Sequence, residues 1–224
     1  MTEHTKKARL TREFFTRDGL SVAQELLGKI LVHETSYGTI RGIITEVESY
    51  MGEEDKGSHT YGGKRTERTE PMYHIGGTSY VYLIYGMYSC MNIACMTDGI
   101  PQAVLIRSVV PADEESRQLM TKLRLLPLNQ KQIKKNKPVY TEEKLPQSLK
   151  KHLADGPGKL CIAMDITRQD NDIDMVQSNS FYVTEGVVIK PEQMLKGKRI
   201  GIDYAQEAAD YLWRFYVKEC DVRQ

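Results

Sequence analysis

Ser79-Tyr80-Val81-Tyr82-Leu83-Ile84-Tyr85-Gly86-Met87-Tyr88-Ser89-Cys90-Met91-Asn92-Ile93-Ala94-Cys95 reads as two strands, Ser79–Ile84 and Tyr88–Cys95, folded back on each other at Tyr85-Gly86-Met87. Aromatic and β-branched residues fill both runs, and glycine at the bend supplies backbone conformations that other residues avoid. Working outward, Lys29–Thr35 and Thr39–Tyr50 form a second hairpin around Tyr37-Gly38, and Ala103–Val109 is a further strand closed by Pro111. Phe181–Ile189 and Leu212–Val217 add two more. Helices are expected after Ser21-Val22-Ala23-Gln24, a capping-box pattern closed by Gly28, over Glu114–Leu126 through Leu119, Leu123 and Leu126, and from Gly158 to Asp165. Strands and helices interleave without a regular strand-helix-strand rhythm, so the expected class is α+β. The glycine-rich stretch 51–77 reads as a long loop, and 127–147 as a candidate mobile loop.

A chain of 224 residues suits one sizeable domain that needs no disulfides. The cysteines Cys90, Cys95, Cys161 and Cys220 form no Cys-x-x-Cys pair and stand at no zinc-finger spacing from a histidine, so buried reduced thiols are expected and no metal. The His-x-Glu and Pro-Cys-x-x-Cys pattern of zinc-dependent base deaminases is missing. Apolar runs are too short to cross a bilayer and the N-terminal residues lack a signal-peptide core, so the expected compartment is the cytoplasm, with no membrane association. The net charge of +1 conceals an asymmetry. From Arg117 to His152 ten lysines or arginines face two acids, a net of +8, whereas residues 42–60 hold Glu46, Glu48, Glu53, Glu54 and Asp55 against Lys56. A basic segment beside a carboxylate cluster suits an enzyme that grips a polyanion, although a solvated basic loop would look the same.

Three segments can carry chemistry. In Glu46-Val47-Glu48-Ser49-Tyr50, strand alternation turns 46, 48 and 50 to one face. A carboxylate there can act as a general base toward water, but spacing does not choose between Glu46 and Glu48, and a solvated polar stripe has the same pattern. In the tyrosine hairpin, aromatic faces can stack bases, and Tyr85 with Met87 at the tip can enter a base stack as a wedge. Ordinary packing accounts for Tyr80 and Tyr88 better. Gly156-Pro157-Gly158-Lys159 can offer backbone N–H groups and a cation to phosphate, a weak signal by itself. Arg107 reads either as a buried structural cation or as a phosphate contact.

Together these segments resemble the alkyladenine (3-methyladenine) DNA glycosylase family. The matching stretches are Glu46–Tyr50, Asp55–His59, Gly76–Tyr88, Cys90–Ile93, Val104–Arg107, Gly156–Leu160 and Arg214–Tyr216, in the family's order and spanning about residues 12–217. The resemblance implies one compact domain over 1–224, a mostly antiparallel curved sheet flanked by helices with a protruding β-hairpin, no metal and no cofactor. It implies a monofunctional enzyme that flips alkylated or deaminated purines such as 3-methyladenine, 7-methylguanine, hypoxanthine and ethenoadenine out of double-stranded DNA, and hydrolyses the N-glycosidic bond to leave an abasic site. Glu48 would be the catalytic base with Arg107 beside it and near the flipped nucleotide's phosphate. Tyr50 and His59 would hold the flipped purine, Tyr82 would stack on its other face, and Asn92 would lie at the pocket floor against the amino group of guanine. Tyr85 and Met87 would engage the duplex, Tyr85 filling the gap left by the base, and Lys159 the DNA backbone. The chain would act as a monomer. The spacing between Asn92 and Arg107, with Ile100-Pro101-Gln102 inside it, is longer than the family's, and the segment 127–152 matches no family motif. Two other classes fit the same residues: a metal-dependent nuclease on Glu46, Glu48 and Asp55, which chelator would stop, and a non-catalytic nucleic-acid binding module on the tyrosine hairpin, which would release no base.

Overall fold

The computed structural model describes residues 7–84, 86–218 and 222. Eight strands join one antiparallel sheet: β1 (Ile30–Thr35), β2 (Gly38–Tyr50), β3 (Ser79–Ile84), β4 (Tyr88–Cys95), β5 (Gln102–Pro111), β6 (Phe181–Thr184), β7 (Leu195–Gly197) and β8 (Arg214–Tyr216). The spatial order is β3-β4-β5-β2-β1-β6, with β8 on β2 and β7 on β8. The helices are α1 (Arg12–Phe15), α2 (Gly19–Leu26), α3 (Glu70–Tyr73), α4 (Glu114–Lys134), α5 (Gln147–Lys151) and α6 (Pro157–Ala163). This is the α+β arrangement expected, and no helix among the described residues is long and apolar enough to cross a membrane.

The sheet is anchored by a central strand buried on both faces. In β5, Ala103 to Val110 are buried without alternation, as in a strand covered on both faces. Helices α4 and α6 pack together and against β2, β4 and β5, while α2 packs on β2 and β5. In α4 the buried Ser116, Met120 and Leu123 recur at helical spacing, and Met120 reaches the main core with Ile44, Ile106 and Leu160.

Several boundaries differ from the sequence expectation, each for a local reason. Helix α2 begins earlier than the Ser21 box: Asp18 caps it, its carboxylate accepting from the N–H groups of Leu20 (3.1 Å) and Ser21 (3.0 Å). Helix α4 does not stop before Pro127 but runs through it to Lys134. Its last turns are tied to the returning chain: the Tyr140 N–H donates to Asn129 Oδ1 (2.8 Å), and Gln132 Nε2 donates to the Tyr140 hydroxyl (2.8 Å). Thus the first part of the segment read as loop, 127–134, is helical. Strand β6 ends at Thr184, not Ile189, because its partner β1 ends at Ile30; beyond it Val187 bonds the carbonyl of Gly28, whose φ of +82° turns the chain. A Cβ on Gly28 would lie 2.2 Å from the Val187 carbonyl oxygen, so glycine is required there. The late strand is confined to Arg214–Tyr216, and β7, only three residues long, has no alternation to reveal it.

Edge strand β3 is covered along part of its length. The Ser79 N–H donates to the Ile173 carbonyl (2.9 Å), the Asp172 N–H to the Ser79 carbonyl (2.9 Å), and the Val81 N–H to Asn171 Oδ1 (2.8 Å). Past Val81 the hairpin runs out to an exposed tip, where Gly86 (φ +66°) has nothing within 4 Å of the position a Cβ would take and Met87 is 71% exposed. Tyr85 and Cys220 lie outside the described residues.

Candidate active site

Directly opposed residues in an antiparallel sheet project to the same face. Register places one such row across five strands: Tyr80 (β3) opposite Asn92 (β4), Asn92 opposite Leu105 (β5), Leu105 opposite Glu48 (β2), and Glu48 opposite Arg214 (β8). A second row sets Tyr82 opposite Cys90. Arg107 reaches this face through an irregularity. Glu46 pairs with Ser108 and Val47 with Ile106, so residue 107 is skipped in the ladder, and Thr45 is skipped on the other strand. Two offset bulges of this kind twist the pair and re-aim side chains. The Ile100-Pro101-Gln102 insert is absorbed in the turn before β5, where the Gln102 side chain accepts from the Gly19 N–H (2.8 Å), so it leaves Arg107 on the site face.

Glu48 is fully buried, at 0% exposure, and both of its carboxylate oxygens have polar partners. Its Oε1 accepts from the Ile200 N–H (2.8 Å) and faces Arg107 Nη1 at 3.2 Å; its Oε2 accepts from the Tyr50 hydroxyl (2.9 Å). Burial raises the Glu48 pKa above the ordinary glutamate value, and the Glu46 charge adds to this; Arg107, the Ile200 N–H and the Tyr50 hydroxyl pull the other way. Glu46 is engaged from both sides, by Arg107 Nε (3.1 Å) and Arg214 Nη1 (2.9 Å). The structure therefore separates the two carboxylates that spacing left equivalent: Glu46 is an ion-pair partner, and Glu48 is the desolvated acid beside the cavity. Removing the neighbouring charge gives a test. Glu46→Gln is expected to shift the acid limb of a single-turnover pH–rate profile to lower pH, because the Glu48 carboxyl then loses its proton more easily. An unmoved limb would uncouple the two residues.

Beside Glu48 opens a cavity of about 410 Å³, walled by Tyr50, His59, Tyr82, Asn92, Arg107 and Ile200. Five of the residues singled out from sequence thus converge on one space of a size that accepts a single heterocycle. Glu48 sits immediately behind its wall, in contact with Tyr50, Arg107 and Ile200. The Tyr82 ring meets His59 edge-on (4.7 Å between centroids) and lies tilted on Tyr80 (5.1 Å). His59 Nδ1 is 2.9 Å from the Tyr80 hydroxyl. Burial, with Arg68 and Lys64 nearby, lowers the His59 pKa to about 4, so its ring is neutral at ordinary pH. Asn92 is buried and lines the cavity, its Nδ2 donating to the Tyr80 carbonyl (3.0 Å).

The remaining candidates stand apart from this cluster. Lys159, in α6, pairs with Asp155 (3.0 Å) and is partly exposed. Met87 is at the hairpin tip. The basic segment contributes Arg117, Lys150 and Lys151 to a separate recess of about 230 Å³ that Glu46 also lines.

Sequence reasoning missed the parts held by distant chain. The Ile200 N–H is a backbone group with no residue signature. Arg199 gave no signal either, yet its guanidinium takes both Asp55 oxygens (2.5 and 2.7 Å) and the carbonyls of Ser49 (3.0 Å) and Ala208 (3.2 Å), under the rings of Tyr50 and Trp213. Asp55 is consumed in this pair and Glu46 in its two arginines, so the acids considered for Mg²⁺ do not assemble into a shared site. Among the described residues no group of three His, Cys, Asp or Glu side chains is placed to hold a metal ion.

The sequence profile of the methylpurine-DNA glycosylase family matches residues 13–221. A protein of Clostridium acetobutylicum named "Putative 3-methyladenine DNA glycosylase" is 46% identical over 212 residues, covering 94% of each chain. A protein of Clostridium perfringens with the same name is 45% identical, covering 94% of this chain and 96% of its own.

Proposed function

Because the chain belongs to the methylpurine-DNA glycosylase family and is an N-glycosidic hydrolase of that type, we propose that its cavity receives a damaged purine swung out of double-stranded DNA and that Glu48 directs water onto the sugar carbon. The observation that carries this reading is the placement of a fully buried carboxylate, its pKa raised by burial, behind the wall of an aromatic cavity. The substrate range proposed is 3-methyladenine, 7-methylguanine, hypoxanthine and ethenoadenine, with an abasic site as product and the monomer as the acting species.

The chemistry follows from the partners of Glu48. Breaking an N-glycosidic bond builds positive charge on the sugar, as in glycoside hydrolysis, and a nearby carboxylate stabilises it. Oxygen Oε1 already holds two donors, so it is fixed in place. Oxygen Oε2 holds the Tyr50 hydroxyl alone and keeps an acceptor site for a proton from water. A raised pKa makes the carboxylate a better base. Arg107, charged and within reach of Glu48, limits that rise and faces the cavity, where it can meet the flipped nucleotide's phosphate. Tyr50, His59 and Tyr82 supply ring faces for the base, and Asn92 at the floor offers an amide to oppose a guanine amino group. Met87 and Lys159, both outside the cavity, are assigned to the duplex, and so is Tyr85 on its sequence position alone. The base must leave the stack because the bond is unreachable within it, at a cost of a few kcal/mol that is least for damaged pairs.

Duplexes each carrying one of the four lesions, incubated with the protein and chelator, should yield free base and, only after alkali, strand nicks. Loss of activity in chelator would favour the nuclease, and binding without any base release would favour the non-catalytic module.

A further inference from the structure

We infer that Arg68 is a specificity-determining residue that lies over the Tyr82 ring face of the cavity and disfavours bases carrying a formal positive charge. This rests on the glycosylase reading of the cavity and specifies its substrate class further. The Arg68 guanidinium carbon stands 4.9 Å from the Tyr82 ring centroid, and the side chain lines the cavity together with Tyr82 and His59. Two other cations of the same loop are committed elsewhere, Lys56 to Glu207 and Arg65 to Glu70, while Lys64 lines a neighbouring recess beside His59. Arg68 has no such ion pair among the described residues, and it is exposed, so it can leave the ring without breaking a carboxylate contact.

A purine stacking on that ring face displaces the guanidinium to the rim of the cavity. Every base forfeits the cation–π contact so displaced, and a neutral base such as hypoxanthine meets no further cost. A base alkylated at a ring nitrogen, such as 7-methylguanine, brings its own positive charge beside Arg68 in a partly desolvated space, where like charges repel more strongly than in bulk water. The aromatic walls attract such a cation, so Arg68 opposes that attraction and tilts selection toward neutral bases.

The test compares kcat/KM for matched duplexes bearing 7-methylguanine or hypoxanthine. Arg68→Gln should raise the ratio of 7-methylguanine to hypoxanthine release by roughly fivefold or more, and Arg68→Lys, which keeps the charge, should leave it within twofold of wild type. A ratio unchanged in Arg68→Gln overturns the inference, and so does an equal fall for both lesions with a shallower salt dependence, the signature of a phosphate contact. A wild type that releases 7-methylguanine readily and ignores hypoxanthine also overturns it. Release of both bases with a flat ratio removes only the role of Arg68; release of neither removes the glycosylase reading beneath it.

Discussion

Glu48→Gln is expected to slow base release by roughly a hundred- to ten-thousand-fold, the range over which a positioned general base contributes. The substitution preserves shape. The amide oxygen can still accept the Ile200 N–H, and the Tyr50 hydroxyl can turn to accept from the amide nitrogen, so the cavity wall stays in place. What is lost is the negative charge that, in the proposed mechanism, answers the developing cation and takes the proton from water. Because the carboxylate is buried and disfavoured as a charge, its neutral replacement should not destabilise the fold. Single-turnover release from alkylated duplex measures the first effect, and fluorescence anisotropy with the same duplex measures binding, which should stay close to wild type. A variant that releases base at the wild-type rate would remove Glu48 from catalysis.

The second large effect concerns stability. Arg199→Ala should cost about 3–5 kcal/mol in chemical denaturation, the usual loss when one partner of a buried ion pair is removed and the other charge remains. Asp55 and Arg199 are both buried, with side chains at 0% exposure, so the orphaned carboxylate finds no water without opening the structure. The loss should spread to the site. Arg199 also bonds the Ser49 carbonyl and lies under Tyr50, and the next residue supplies the N–H that holds Glu48. A double variant, Asp55→Leu with Arg199→Met, removes both charges and should be more stable than Arg199→Ala alone. A single variant within 1 kcal/mol of wild type would show that the pair is dispensable.

Much of the sheet was legible because strands announce themselves by alternation and turns by glycine. The spacing of Glu46, Glu48 and Tyr50 placed three side chains on one face, and the tyrosine hairpin declared itself by composition. What could not be read was register between strands distant in sequence. Nothing near Glu48 states that Leu105 and Arg214 flank it, nor that a slipped pairing aims Arg107 at it. The clamp on Glu48 from Ile200 comes from a peptide N–H, which any residue except proline could provide. Pro127 misled for a different reason: a proline lacks one helix hydrogen bond and strains another turn, but packing of Met120 and Leu123 and the ties to Tyr140 hold the helix through it.

The partial cover on β3 divides one hairpin into two mechanical regimes. Up to Val81, the strand is bonded on both sides, to β4 and to residues 171–173, so the tyrosine at 80 is set in a stiff plate that keeps an ångström-scale fit. Beyond it β3 has no bonded neighbour on its outer side among the described residues, while Tyr88 of β4 lies against Gly158 of α6. On the proposed reading, the doubly bonded stretch backs the cavity and the singly bonded end is the part that meets the polymer.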